Sequence, residues 1–73
     1  MVILLGTDKR QSRTMFEGTL VKARRFAKVN NLAHWAIYQP FYKGRSFHNA
    51  TDESYLIEHC NDPYWLNRGM PTR

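Results

Sequence analysis

Hydrophobic and polar positions change rhythm several times along this chain, and each change marks the edge of an element. The run Val2-Ile3-Leu4-Leu5 closes at Gly6 and gives way to the polar stretch Thr7 to Arg13, the pattern of a short buried strand leading into a loop. Lys9, Arg10 and Arg13 have little apolar company, so residues near 6–13 are expected to form an exposed, mobile loop. Thr14-Met15-Phe16-Glu17 matches a capping box, in which hydroxyl and carboxylate each satisfy the other's backbone N–H. A helix from there to about Val29 would place Phe16, Leu20, Ala23 and Ala27 on one side, with Lys22, Arg24, Arg25 and Lys28 around the remainder. Gly18 weakens that helix. Asn30-Asn31 would stop it, or would instead turn a hairpin between two strands.

Beyond this point the period falls to two. In Ala33-His34-Trp35-Ala36-Ile37-Tyr38 the residues Ala33, Trp35 and Ile37 alternate with His34, Ala36 and Tyr38, as a half-buried strand requires. Pro40 ends the strand or holds it at a sheet edge. Tyr42 to Phe47 then reads as a turn about Gly44 with a returning strand, giving a hairpin near residues 33–48. Thr51-Asp52-Glu53-Ser54 offers a cap and an acidic first turn for a short helix to about Cys60, with a strand over Tyr55 to His59 as the alternative. Asp62-Pro63 breaks the pattern, Tyr64-Trp65-Leu66 can fold back on the core, and the tail at 67–73 is expected to fray. The expected fold is α+β: a single domain over 1–73 in which a short antiparallel sheet packs with one or two helices.

At 73 residues a chain has room for one core, and a small one. Ten aromatic residues help to fill it, since each buries roughly 150–250 Å² when enclosed. Eleven Lys and Arg against six Asp and Glu give a net charge of +5, which attracts acidic partners. A lone cysteine, Cys60, excludes an internal disulfide and favours a reducing, cytoplasmic compartment. The only terminal apolar run is too short for a leader or a membrane span, so no membrane association is expected.

Candidate chemistry is sparse. His34, His48, His59 and Cys60 lack the paired spacings of zinc sites, so neither metal nor cofactor is expected. Catalysis needs a nucleophile or base, an orienting partner and a cleft, and the expectation is a binder and not an enzyme. The minor alternative rests on Gly44-Arg45-Ser46-Phe47-His48, which resembles a short stretch of the small ribonuclease toxins of bacterial toxin–antitoxin systems, although the glycine-serine-histidine order of one such family is interrupted. His48 would be its acid–base group. The cations Lys22, Arg24, Arg25 and Lys28, joined by Lys43 and Arg45 in the aromatic-rich segment Trp35 to Phe47, are the candidate partner-binding residues.

Across its length, charge and general character, including the segment Asn31 to Phe41, the chain resembles the small RNA-polymerase-binding transcription regulators of lytic Xanthomonas phages. That resemblance implies a protein of the host cytoplasm that binds bacterial RNA polymerase near the β′ amino terminus, inhibits initiation at host promoters and promotes antitermination; the domain itself is expected to be a monomer. The alternative of a different class is a direct DNA- or RNA-binding module, repressor-like, with Lys22, Arg24, Arg25 and Lys28 on phosphates.

Overall fold

Four consecutive apolar residues must be covered on both sides, and the chain does this by making them an inner strand. In the computed structural model, which describes residues 1–73, β1 (Val2–Asp8) is hydrogen-bonded to β2 (Arg13–Gly18) on one side and to β3 (Leu32–Tyr38) on the other. β6 (Leu56–Cys60) completes an antiparallel sheet of order β2-β1-β3-β6. Helix α1 (Leu20–Val29) lies on one face, while a short hairpin of β4 (Phe41–Tyr42) and β5 (Arg45–Ser46), a 3₁₀ turn at Glu53–Tyr55 and helix α2 (Pro63–Asn67) belong to the segments covering the other. This is the α+β single domain expected from the sequence.

The sheet therefore carries two cores. Val2, Leu4 and Ile37 meet Ala23 and Ala27 of α1, ringed by Phe16, Leu20, Phe26 and Trp35. Ala36 and Tyr38, one residue along β3 from their counterparts, point the other way and meet Tyr55 and Trp65. The alternation read in residues 33–38 is real, but both of its faces are buried. Trp65, not Trp35, is the fully enclosed indole, at 1 % exposure.

Several expectations need correction. First, residues 6–13 are not one loop: Gly6 to Asp8 continue β1, and the connection to β2 is a tight turn in which the Asp8 carboxylate accepts from the Arg10 and Ser12 N–H groups at 2.8 and 2.9 Å. Second, the helix does not start at Thr14. Residues 13–18 pair with β1, and the true cap is Thr19, whose hydroxyl accepts from Lys22 N–H at 3.2 Å. The capping-box spelling at Thr14 loses because the open edge of β1 offers a whole ladder of hydrogen bonds, against one cap. Phe16 still reaches the expected core, stacking on Phe26 at 4.8 Å, but does so from the strand.

Third, the strand at 33–38 is not an arm of the hairpin expected near 33–48. β3 is taken by β1 and β6, and only Phe41 to Ser46 form a hairpin, closed by Lys43 and Gly44 with φ of 51° and 78°, both in the left-handed region that two-residue turns use. The helix proposed for Thr51 to Cys60 is confined to the 3₁₀ turn, capped by Asp52; from Leu56 the chain becomes the strand that was the other reading. Fourth, the C-terminal tail is tied down. Arg73 N–H donates to His59 C=O at 2.8 Å, Asn61 N–H to Thr72 Oγ1 at 2.6 Å, and His59 Nε2 lies 3.0 Å from Met70 C=O. Gly6 sits where β1 has little room for a side chain: a Cβ there would lie 2.7 Å from Leu32 Cδ1 and 3.0 Å from Trp35 Cβ.

Candidate binding surfaces

The six cations singled out in the sequence separate into three groups. Lys22, Arg25 and Lys28 follow one another at intervals of three on α1, which aligns them along one exposed side of the helix. None has a carboxylate within ion-pair distance. Val21 and Val29 flank the line and are exposed as well.

Arg24 is different. It turns toward β6, where Nη2 and Nε donate to the two oxygens of Glu58 at 2.6 and 3.1 Å. Glu58 also takes Arg73 at 2.7 Å and is only 12 % exposed. The hydrogen bond to Glu58 holds the Arg24 guanidinium above its ordinary pKa, with Coulombic attraction adding to it against a desolvation cost. This forked carboxylate joins helix, sheet and tail, so Arg24 braces the fold and is removed from the free basic strip.

Lys43 and Arg45 lie in the layer on the opposite side of the sheet, on the β4–β5 hairpin. Phe41 is 62 % exposed there. Lys43 Nζ sits 5.4 Å from the centre of the Tyr42 ring, and Tyr42 in turn meets Tyr55 edge-on at 6.0 Å. Cations and aromatics are adjacent on this arm, as the sequence indicated, but they do not join the α1 strip into one surface.

The structure also assembles a group that sequence spacing concealed. The register places Arg13, Thr7 and His34 in one row across β2, β1 and β3, on the side facing α2. Together with Leu5, Ala50, Thr51, Asp62 and Tyr64 they line a cleft of about 380 Å³. Its lining surface is largely apolar, and Arg13 and Asp62 bring one cation and one carboxylate to it. His34 Nδ1 is buried without a hydrogen-bond partner and lies 3.7 Å from Asp62 Oδ1, beyond hydrogen-bond reach. Residues 7, 13, 34 and 62 are brought together by three strands and a loop; only prior recognition of the β1–β2 hairpin would have aligned the first two.

His48, the one acid–base candidate from sequence, stands at the surface. Its Nδ1 is 3.3 Å from Ser46 C=O, its Nε2 is 3.8 Å from Asp52, and its ring meets Tyr55 edge-on. His59 is buried, with both ring nitrogens engaged, by Met70 C=O and Asp62 N–H. No three His, Cys, Asp or Glu side chains gather at a spacing that could hold a metal ion, and no helix is long and apolar enough to cross a membrane. Comparison with protein-family models, curated proteins and solved structures finds no match to this chain.

Proposed function

We propose that this protein acts by binding an acidic macromolecular surface, and that its partner is bacterial RNA polymerase, whose initiation at host promoters it inhibits and whose read-through of terminators it promotes. The observation that carries the binding reading is the strip Lys22, Arg25 and Lys28: three aligned cations, exposed and unpaired, on a helix whose other side is fixed in the core. Such a strip needs no induced order, and attraction from a rigid surface raises the encounter rate with an acidic partner. The choice of polymerase rests on the resemblance in length, charge and character described above. A small binder of this kind alters a large enzyme only through unequal affinity for that enzyme's conformational states. Chemistry is not required.

A second reading, direct nucleic-acid binding, is favoured by one specific feature: the exposed ring of Phe41 on a hairpin that also carries Lys43 and Arg45. Bases stack on exposed aromatics while neighbouring cations meet phosphates. Affinity capture from bacterial lysate, with and without nuclease, separates the two. Recovery of polymerase subunits after nuclease treatment supports the first reading. Loss of capture on nuclease treatment, with retained affinity for naked single strands that Phe41→Ala abolishes, would replace it with the second.

A further inference from the structure

The two edges of the sheet are not equivalent. On β6 the outward-facing His59 carbonyl is occupied by the Arg73 N–H at 2.8 Å, so the chain's own tail covers one end of that edge. Nothing closes β2. The hydrogen-bond parity of β2 follows from its turn: Asp8 N–H donates to Ser12 C=O at 3.0 Å, which makes Asp8 and Ser12 a hydrogen-bonded pair. Pairs alternate along an antiparallel ladder. With the observed register, Gly6–Thr14 and Leu4–Phe16 are then bonded pairs, whereas Thr7–Arg13, Leu5–Met15 and Ile3–Glu17 are not. The backbone N–H and C=O groups of Arg13, Met15 and Glu17 consequently turn outward, unpaired, along the open edge.

These three residues are complementary to a reversed copy of themselves. Two β2 strands aligned antiparallel about Met15 set Arg13 of each copy against Glu17 of the other, with the two Met15 residues facing each other at the centre. All three side chains project to the same face of the sheet. Met15 is 62 % exposed, and neither Arg13 nor Glu17 has an ion-pair partner within its own chain. Three facing pairs exchanging two bonds each give about six backbone hydrogen bonds. Charged residues at a sheet edge commonly oppose indiscriminate pairing; here their order opposes most strands and admits this one.

We propose that two copies of the protein associate through β2 about a two-fold axis at Met15, joining their sheets into one. This replaces the monomer expected from sequence. An edge-to-edge contact is narrow, so the dimer is weak and depends on concentration.

Amide exchange across a dilution series, alongside sedimentation equilibrium, tests the proposal residue by residue. The N–H groups of Thr14 and Phe16, bonded to β1, stay protected at every concentration. Those of Arg13, Met15 and Glu17 gain protection only as mass rises toward the dimer. Met15→Pro deletes an outward N–H that the monomer does not use, and is expected to remain folded by circular dichroism yet monomeric. Arg13→Glu and Glu17→Arg should each weaken self-association by roughly tenfold or more, since two attractive cross-strand pairs become two repulsive ones. Mixing those two variants restores both attractions, and a heterodimer should form. Wild-type mass that stays monomeric up to about 1 mM, the upper range for weak contacts, would overturn the proposal. So would a dimer that survives Met15→Pro, or an Arg13→Glu and Glu17→Arg mixture no tighter than either variant alone.

Discussion

Tyr38 and Trp65 show how single side chains hold the second core together. The Trp65 indole N–H donates to the Tyr38 hydroxyl at 2.9 Å, and that hydroxyl donates to Ala50 C=O at 2.8 Å, so a buried polar chain runs from α2 through the sheet to the covering loop. Removing Trp65 both opens a cavity and leaves the Tyr38 oxygen without its donor. Trp65→Ala is expected to cost about 3–5 kcal/mol, enough to unfold most of a domain this small. Urea denaturation checks this: a Trp65→Ala midpoint close to wild type would show that the second core is not a structural support. Burial raises the Tyr38 pKa above its ordinary value, opposed by the Trp65 hydrogen bond and reinforced by the negative charge of Asp62. Since the unfolded phenol ionises near pH 10 and the folded one only above that, Tyr38 contributes its full stability below about pH 10 and loses it as pH rises through the folded value. Thermal midpoints measured from neutral pH upward should fall beyond that point, and fall less steeply for Tyr38→Phe. Equal slopes would mean that Tyr38 is not the group responsible.

At the scale of elements, the decisive competition is between local signals and the needs of the sheet. Thr14 opens the capping-box spelling, but the residue that caps α1 is Thr19. Thr19→Ala should therefore destabilise the protein by about 1 kcal/mol, while Thr14→Ala leaves α1 intact; a reversal of the two effects in chemical denaturation would restore the longer helix. Apolar spacing correctly identified Leu20, Ala23 and Ala27 as the inner face of α1, and the stop at Asn30-Asn31 is where the helix ends, with Asn31 at φ of 51°. The strand character of residues 33–38 and the Gly44 turn were equally legible, because each is a short-range property of side-chain period or of backbone conformation. Pairing was not. That β3 chooses β1 and β6 is an outcome of long-range burial which no window of neighbouring residues encodes, and the local closure of residues 13–18 on β1 was masked by the competing capping-box spelling at Thr14. The same limit hid the row Arg13, Thr7 and His34, and hid the role of Glu58 in withdrawing Arg24 from the basic surface.

Taken as a whole, the molecule divides its charge by function. Arg24 and Arg73 are spent on one nearly buried carboxylate, Glu58, whereas Lys22, Arg25 and Lys28 stay unpaired on the outer side of α1, and Lys43 with Arg45 occupies a separate arm. Reversing the charge of the strip Lys22, Arg25 and Lys28 should leave the fold unchanged, because no member of the strip packs in either core. The most direct measurement is the affinity of wild-type protein and of the Lys22→Glu/Arg25→Glu/Lys28→Glu variant for purified, nuclease-treated bacterial RNA polymerase at low and at moderate salt. Exposed charges act over a Debye length of about 10 Å at 0.1 M ionic strength, and surface charges of this kind act chiefly on the association rate. The wild type is expected to bind, the folded triple variant to bind more weakly, and the gap between them to widen as salt is lowered. A folded wild-type protein with no detectable affinity for polymerase at micromolar concentration would contradict that expectation.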